Sequence, residues 1–161
     1  MAYQSTKTYG NDRGFSCAFR QWSADSHCNL IHGYSLGFRF VFEAEELDER
    51  NWVYDFGNCK WIKAWLDDNF DHTLAVDIND PQLLTLTELG EKGLANVVEM
   101  DGVGCEKFAY HVYNHVAPQV IKQTGGRVRL KSVEVFEHGS NSAIVEDLPI
   151  TELKQENVGV H

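Results

Sequence analysis

The chain is poor in positive charge. Its 161 residues carry 14 Lys and Arg against 24 Asp and Glu, a formal net charge of −10. That argues against the broad basic surface needed for sequence-independent nucleic-acid binding, and against docking on an anionic membrane. A phosphate-bearing small molecule stays within reach, because a few local cations or backbone N–H groups can hold one. Cysteine is sparse as well. Cys17, Cys28, Cys59 and Cys105 are widely spaced and form no CxxC pair, so a zinc ribbon is not supported and a disulfide framework is not expected. Met1–Gly10 is polar and lacks the apolar stretch of a secretory signal, and no run approaches the ~20 apolar residues of a membrane span. A cytoplasmic protein with free thiols is expected, partnered by neither nucleic acid nor membrane. Repeats, linkers and low-complexity stretches are absent too. What is present is an ordinary globular mix, 43% hydrophobic and 12% aromatic, long enough for a single domain with one core.

Periodicity organises that domain. Phe15–Trp22 reads as a strand with Phe15, Cys17, Phe19 and Gln21 on one face. Leu36, Phe38, Phe40 and Phe42 alternate with Gly37, Arg39, Val41 and Glu43, a half-buried strand. The acidic run Glu43–Arg50 reads as a turn, and Asn51–Phe56 as a short returning strand. From Gly57 the period changes. Trp61, Ile62, Trp65, Leu66 and Phe70 recur at three- and four-residue steps, predicting an amphipathic helix with Asp55 as its N-cap. Thr73–Gly104 is ambiguous, with a short strand near Ala95–Glu99. Glu106–Val120 is again amphipathic, ending near Pro118. Gly125-Gly126 makes a turn, and Val128–Phe136 alternates as a last strand. Strand pairs flanking helices imply an α+β domain with helices on one sheet face.

Four places can carry chemistry, and each has a plainer reading. Cys28–Tyr34 reads C-N-L-I-H-G-Y, with His32 and Tyr34 on one strand face. Such a position suits a metal ligand or a general base, or else a buried thiol and a hydrogen-bonded histidine. Asp71-His72-Thr73 follows the first helix. The carboxylate can fix the imidazole tautomer for proton transfer, or the pair can simply close the helix C-terminus. Glu137-His138 ends the last strand, where a bidentate carboxylate matches adjacent N–H groups of a flat heterocycle, or is merely a solvated acid. Glu106 opens the second helix, where an acid is favourable in any case. His111 and His115 are spaced i, i+4 but flank no acid, so the HExxH motif is absent and both read as surface residues.

Taken in order, F-S-C-A-F-R at 15–20, C-N-L-I-H-G-Y at 28–34, V-Y-D-F at 53–56, D-H-T at 71–73, C-E-K-F-A at 105–109 and V-E-V-F-E-H at 133–138 resemble the 6-pyruvoyl-tetrahydropterin synthase and 6-carboxytetrahydropterin synthase superfamily. The resemblance spans roughly residues 8–145. It implies a T-fold over residues 1–145, a four-stranded antiparallel sheet with two helices on one face, followed by a C-terminal tail at 146–161. It implies a homo-oligomer, a hexamer built as a dimer of trimers whose sheets join into a barrel, with active sites at subunit boundaries. The implied function is that of a 6-carboxytetrahydropterin synthase-like lyase. It acts on 7,8-dihydroneopterin triphosphate, and its product feeds deazaguanine and queuosine synthesis.

By position, the resemblance makes Cys28 the catalytic base and Asp71 and His72 its relay. Glu137 grips the pterin ring, and Glu106 is an acid near the pocket. The family's zinc is held by three histidines, whose places here are Phe19, His32 and Tyr34. His32 is thus the surviving metal ligand, with His27 or Tyr34 as candidates to complete a rebuilt site beside Cys28 or His138. Two further readings stand beside the enzyme. One is a metal-free relative that binds a pterin or purine ring through Glu137 with different or no catalysis. The other is an interaction module using the ring-forming sheet.

Overall fold

The computed structural model describes residues 1–147. Its centre is the long strand β3 (His32–Ala44), whose Leu36, Phe38, Phe40 and Phe42 are all 0% exposed. Strand β6 (Arg129–His138) pairs antiparallel with β3 on one side, and β7 (Asn141–Glu146) continues the sheet beyond it. On the other side β3 is matched by two strands placed end to end. These are β1 (Tyr3–Tyr9), opposite residues 38–44, and β2 (Phe15–Phe19), opposite residues 32–36. Between them the chain bulges through a single 3-10 turn, Asn11–Arg13. Gly37 lies opposite that bulge, and a Cβ there would come within 3.1 Å of the Tyr9 carbonyl oxygen, so the bulge needs glycine across from it. Asn11 Nδ2 donates to the carbonyls of Ser35 (2.7 Å) and Phe136 (3.2 Å), tying the bulge to β3 and β6.

Two helices cover one face of this sheet. Helix α1 (Lys60–Phe70) buries Ile62, Leu66 and Phe70, and a later helix contributes Phe108, Val112, Val116 and Val120 to the same core. The antiparallel lanes β1/β2, β3, β6 and β7 and these two helices are the expected T-fold. The expectation of a four-stranded, wholly antiparallel sheet with two helices is nevertheless corrected. Strand β4 (Thr73–Asp77) runs parallel to β2, β5 (Val97–Met100) runs parallel to β4, and helix α2 (Leu83–Glu91) connects them. Among the described residues the result is a mixed seven-stranded sheet with three α-helices. β4 escapes a period-two reading because Thr73, Leu74, Ala75 and Val76 are all buried, which leaves no polar alternation. Leu74 and Val76 face α2 in a small second core with Leu86, on the sheet face away from α1.

Other local expectations shift. Asn51–Phe56 is not a strand. Asp48 Oδ1 accepts from the N–H groups of Arg50 and Trp52, both at 2.9 Å, and folds the segment into a turn. Asp55 does cap, accepting from Gly57 N (2.8 Å) at a 3-10 turn that leads into α1. Helix α3 (Cys105–Gln123) runs past Pro118, because buried Ala117 and Val120 hold its last turns on the core. Residues 1–10 hold β1, and Glu146 belongs to β7, so the expected tail boundary falls inside a strand; 148–161 lie outside the described residues. Among the described residues no helix is long and apolar enough to cross a membrane.

Candidate active site

β6 ends at Glu137 and His138, and the chain turns back into β7 within three residues. His138 builds that turn. Its Nδ1 accepts from Ser140 N (3.1 Å), and its Nε2 lies 3.3 Å from the Asn141 amide. Helix α3 begins beside the same strand end. Its N-cap, Gly104, has φ 101°, where L side chains are rare, and a Cβ there would come 2.3 Å from Gln21 Nε2. Gln21 Nε2 donates to the Val103 carbonyl (2.8 Å), so a close backbone approach locks the helix entry against the end of β2. Cys105, Glu106, Glu137, Ser140, Asn141 and Ser142 then line an open cavity of about 420 Å³. Burial, followed by the charges of Glu137 and Glu106, pushes the Cys105 thiol up to about 12, so it stays protonated beside Glu137.

Cys28 is brought to this corner by backbone contacts. It sits in a 3-10 turn, His27–Asn29, with Ser26 Oγ accepting from Cys28 N at 3.3 Å. Its own carbonyl accepts from Gln21 N (2.9 Å), so Gln21 joins the cysteine turn to the start of α3. The Asn29 carbonyl accepts from Arg20 Nη1 (3.1 Å), and Arg20 forms a bidentate pair with buried Asp80 at 2.7 and 2.8 Å. Cys17, Cys59 and Cys105 are buried, and Cys28 is the half-buried, reachable thiol of the four. Tyr34 adjoins it. Its ring stands 6.1 Å from Phe19, 5.6 Å from His32 and 6.2 Å from His138. Burial and the charges of Glu137, Cys28 and Cys105 raise the Tyr34 phenol above its ordinary value.

Asp71 and His72 lie elsewhere. Asp71 Oδ1 accepts from Ser16 N (3.1 Å), the main cause of its lowered pKa, and stands 3.1 Å from His72 Nδ1. His72 adopts a left-handed φ of 56°, and its side chain is 85% exposed. It borders an open cleft of about 560 Å³ whose lining includes Cys17 and Tyr34 as well as Ser16, Ala18, Gly33, Ser35 and Leu74. Strand alternation places the last five on the sheet face opposite Cys17, Phe19, His32 and Tyr34. Within one chain His72 thus borders a cleft that shares no lining residue with the cavity at Glu137.

A model of the family described as 6-pyruvoyl tetrahydropterin synthase matches residues 10–147. This chain belongs to the 6-pyruvoyl tetrahydropterin synthase family. Among curated relatives it is 25% identical over 124 residues to a 6-carboxy-5,6,7,8-tetrahydropterin synthase of Rickettsia bellii, covering 76% of this chain and 88% of that protein. It is 29% identical over 90 residues to the protein of that name from Aquifex aeolicus, covering 56% and 53% of the two chains. Two solved structures share the fold. An uncharacterised protein of Wolinella succinogenes superposes with a TM-score of 0.78 at 23% identity, covering 92% of this chain and 99% of that one. A catalytic-residue mutant of Plasmodium vivax 6-pyruvoyltetrahydropterin synthase gives 0.67 at 14% identity, with the same coverage.

The zinc that this family implies does not fit the side chains present. Phe19 is buried, 5.0 Å from the His32 ring and 5.2 Å from Phe108, and has no donor atom. His32 Nδ1 is engaged by the Leu30 carbonyl at 2.7 Å, which leaves Nε2 able to bind a metal but alone, and His27 is exposed on its turn. Tyr34 contributes a neutral phenol, a poor ligand. Both His138 ring nitrogens serve the β6–β7 turn. Among the described residues no group of three or more His, Cys, Asp or Glu is placed to hold a metal ion, so the expected set of His32 with His27 or Tyr34 is not assembled.

Arg20, Gln21, Asp80, Gly104 and Asn11 escape a reading by sequence, because each acts through a partner far away in the chain. The N-D-P-Q turn at 79–82 was the one available signal for Asp80. His111 and His115 are half-buried rather than surface residues. His111 Nε2 lies 3.2 Å from the Gly102 carbonyl oxygen. His115 stacks on Trp65 with ring centroids 4.1 Å apart, and burial lowers its pKa.

Proposed function

We propose that this chain is a pterin-processing lyase that converts 7,8-dihydroneopterin triphosphate into a tetrahydropterin such as 6-carboxytetrahydropterin, for deazaguanine- or queuosine-type biosynthesis. The observation that carries the reading is one corner of the fold. There a strand-end carboxylate, Glu137, shares an open cavity with the start of α3, and Gln21 ties the reachable thiol of Cys28 to that same helix entry. Glu137 accepts paired N–H groups from the ring, with Glu106 beside it. Cys28 takes a proton from the substrate side chain, and Asp71 and His72 relay it. Since His72 borders a cleft separate from that cavity, a neighbouring subunit supplies the pair in a homo-oligomer, most simply a dimer of trimers. No step is routed through zinc.

A second reading has its own support. Phe19 and Tyr34 stand where the family has ligands, which favours a metal-free relative that holds a pterin or purine ring on Glu137 with different or no chemistry. Turnover of 7,8-dihydroneopterin triphosphate by the purified protein, followed by mass spectrometry, separates the two. Release of triphosphate with a tetrahydropterin product supports the lyase. A bound but unconverted ring supports the second reading. Absence of any binding overturns both.

A further inference from the structure

The side chains around the cavity pose a problem of hydrogen-bond sign. Glu137 and Glu106 are carboxylates and only accept. The Leu30 carbonyl also only accepts, so neutral His32 carries its proton on Nδ1 and presents a lone pair at Nε2. Asn141 is engaged with His138, Ser142 Oγ donates to Glu134 at 2.8 Å, and the Ser140 hydroxyl is the donor left at the Glu137 end of the cavity. A substrate oxygen that gathers negative charge needs a donor instead.

Tyr34 does not line that cavity, but beside Cys28, where the proton is taken, its phenol offers such a donor. Tyr54 donates to Gln123 Oε1 (2.8 Å) and Tyr9 reaches the Cys59 carbonyl at 3.4 Å, while Tyr3 and Tyr110 are exposed. Among the described residues the Tyr34 phenol has no hydrogen-bond partner, although it is half-buried and lies within the fields of Glu137 and Cys28. Its ring is held on three sides by Phe19, His32 and His138. Phe19 is itself fixed in the core against Phe108, so the wedge of rings is rigid where a donor must be pre-organised.

We propose that the Tyr34 phenol is a catalytic residue, donating a hydrogen bond to an oxygen of the substrate side chain as charge develops there, and that this chain thereby works without a bound metal. This rests on the pterin reading above. The phenol keeps its proton throughout. Its contribution is electrostatic, and loss of one such donor typically costs 10²–10³ in kcat.

The test compares wild type with Tyr34→Phe, after chelation and with metal content measured by mass spectrometry. It records kcat and KM on 7,8-dihydroneopterin triphosphate, affinity for a pterin lacking the side chain, and thermal stability. The expected result is metal-free wild type that turns over. Tyr34→Phe should fold normally and bind the bare ring with unchanged affinity, but lose about 10²–10³ in kcat. Wild-type kcat in Tyr34→Phe overturns the proposal, as does turnover that disappears on chelation and returns with zinc. A wild type that neither binds nor converts the pterin fails earlier, on the function itself, and takes this proposal with it.

Discussion

Glu137 and Asp80 are both carboxylates at the cavity end of the sheet, and their surroundings give them different work. Glu137 is half-buried and faces a cavity, with a buried, protonated thiol beside it. Changing it to Gln replaces one acceptor with a donor against the ring's N–H groups. Ring affinity should fall by about 10–100-fold, while stability changes little, as equilibrium fluorescence titration and a thermal melt can check. Unchanged affinity would remove Glu137 from the binding site. Asp80 faces inward to the Arg20 guanidinium, which holds its carboxyl below the usual carboxylate range. A depressed folded value means that this stabilisation is present above the ordinary value near 4 and is lost as pH falls through the folded one. Asp80→Asn should cost about 2–3 kcal/mol in urea unfolding, because it leaves the guanidinium without its counter-charge. The Cys28 turn should loosen with it, since Arg20 also holds the Asn29 carbonyl. Glu137, Cys28 and the Asp71-His72 pair are visible in the sequence as short polar motifs at element ends. Arg20 and Asp80 are not, because nothing local marks two residues 60 positions apart as partners.

At the scale of elements, the strongest signals belonged to segments with one wet face. β3 and α1 carry clean periods because each buries one side. β4 is buried on both faces, and α2 covers only a small second core, so neither stands out against the loops around it. Pro118 misleads for a related reason. Proline lacks an N–H, but tertiary packing of Ala117 and Val120 outweighs that loss and carries α3 on to Gln123. The start of α3 gives the sharpest test here. Gly104→Ala combines a positive φ with a contact of 2.3 Å to Gln21 Nε2, so the backbone is strained and the Gln21 amide must leave the Val103 carbonyl. We expect a loss of about 1–3 kcal/mol in chemical unfolding. Ring binding should weaken too, because the helix entry that carries Cys105 and Glu106 loses its tie to Gln21. A variant that matches wild type in both would show that this junction does not position the cavity.

For the whole molecule, the decisive arrangement is that His72 borders a different cavity from Glu137. If neighbouring subunits complete each site, Cys28→Ala and His72→Ala are each inactive alone. Mixed oligomers of the two then regain activity, at about a quarter of their sites under random assortment. Co-expression with distinguishable tags, followed by assay of the doubly tagged species, makes the measurement. Inactive hybrids would mean that each chain must supply both groups itself, or that the relay does not operate.

The amphipathic periods of β3, α1 and α3 specify the antiparallel core directly, since burial of one face of each element is a property of local order in the chain. The motifs at element ends name Cys28, Asp71, His72, Glu106 and Glu137 as a set through their resemblance, in order, to the family. Their spatial grouping is a different matter. Side-chain direction depends on which face a strand residue presents, and that follows from register: Cys17 opposite both Tyr34 and Thr73 puts Leu74 on one side and Tyr34 on the other. The fate of the metal positions is also tertiary. Phe19 and Tyr34 are readable as lost ligands, but only packing reveals that both nitrogens of His138 are already occupied by turn contacts, so His32 Nε2 stands without a second imidazole beside it. Hydrogen bonds between distant segments leave no periodic trace in a sequence, and those bonds join the cysteine turn, the helix entry and the strand end into one site.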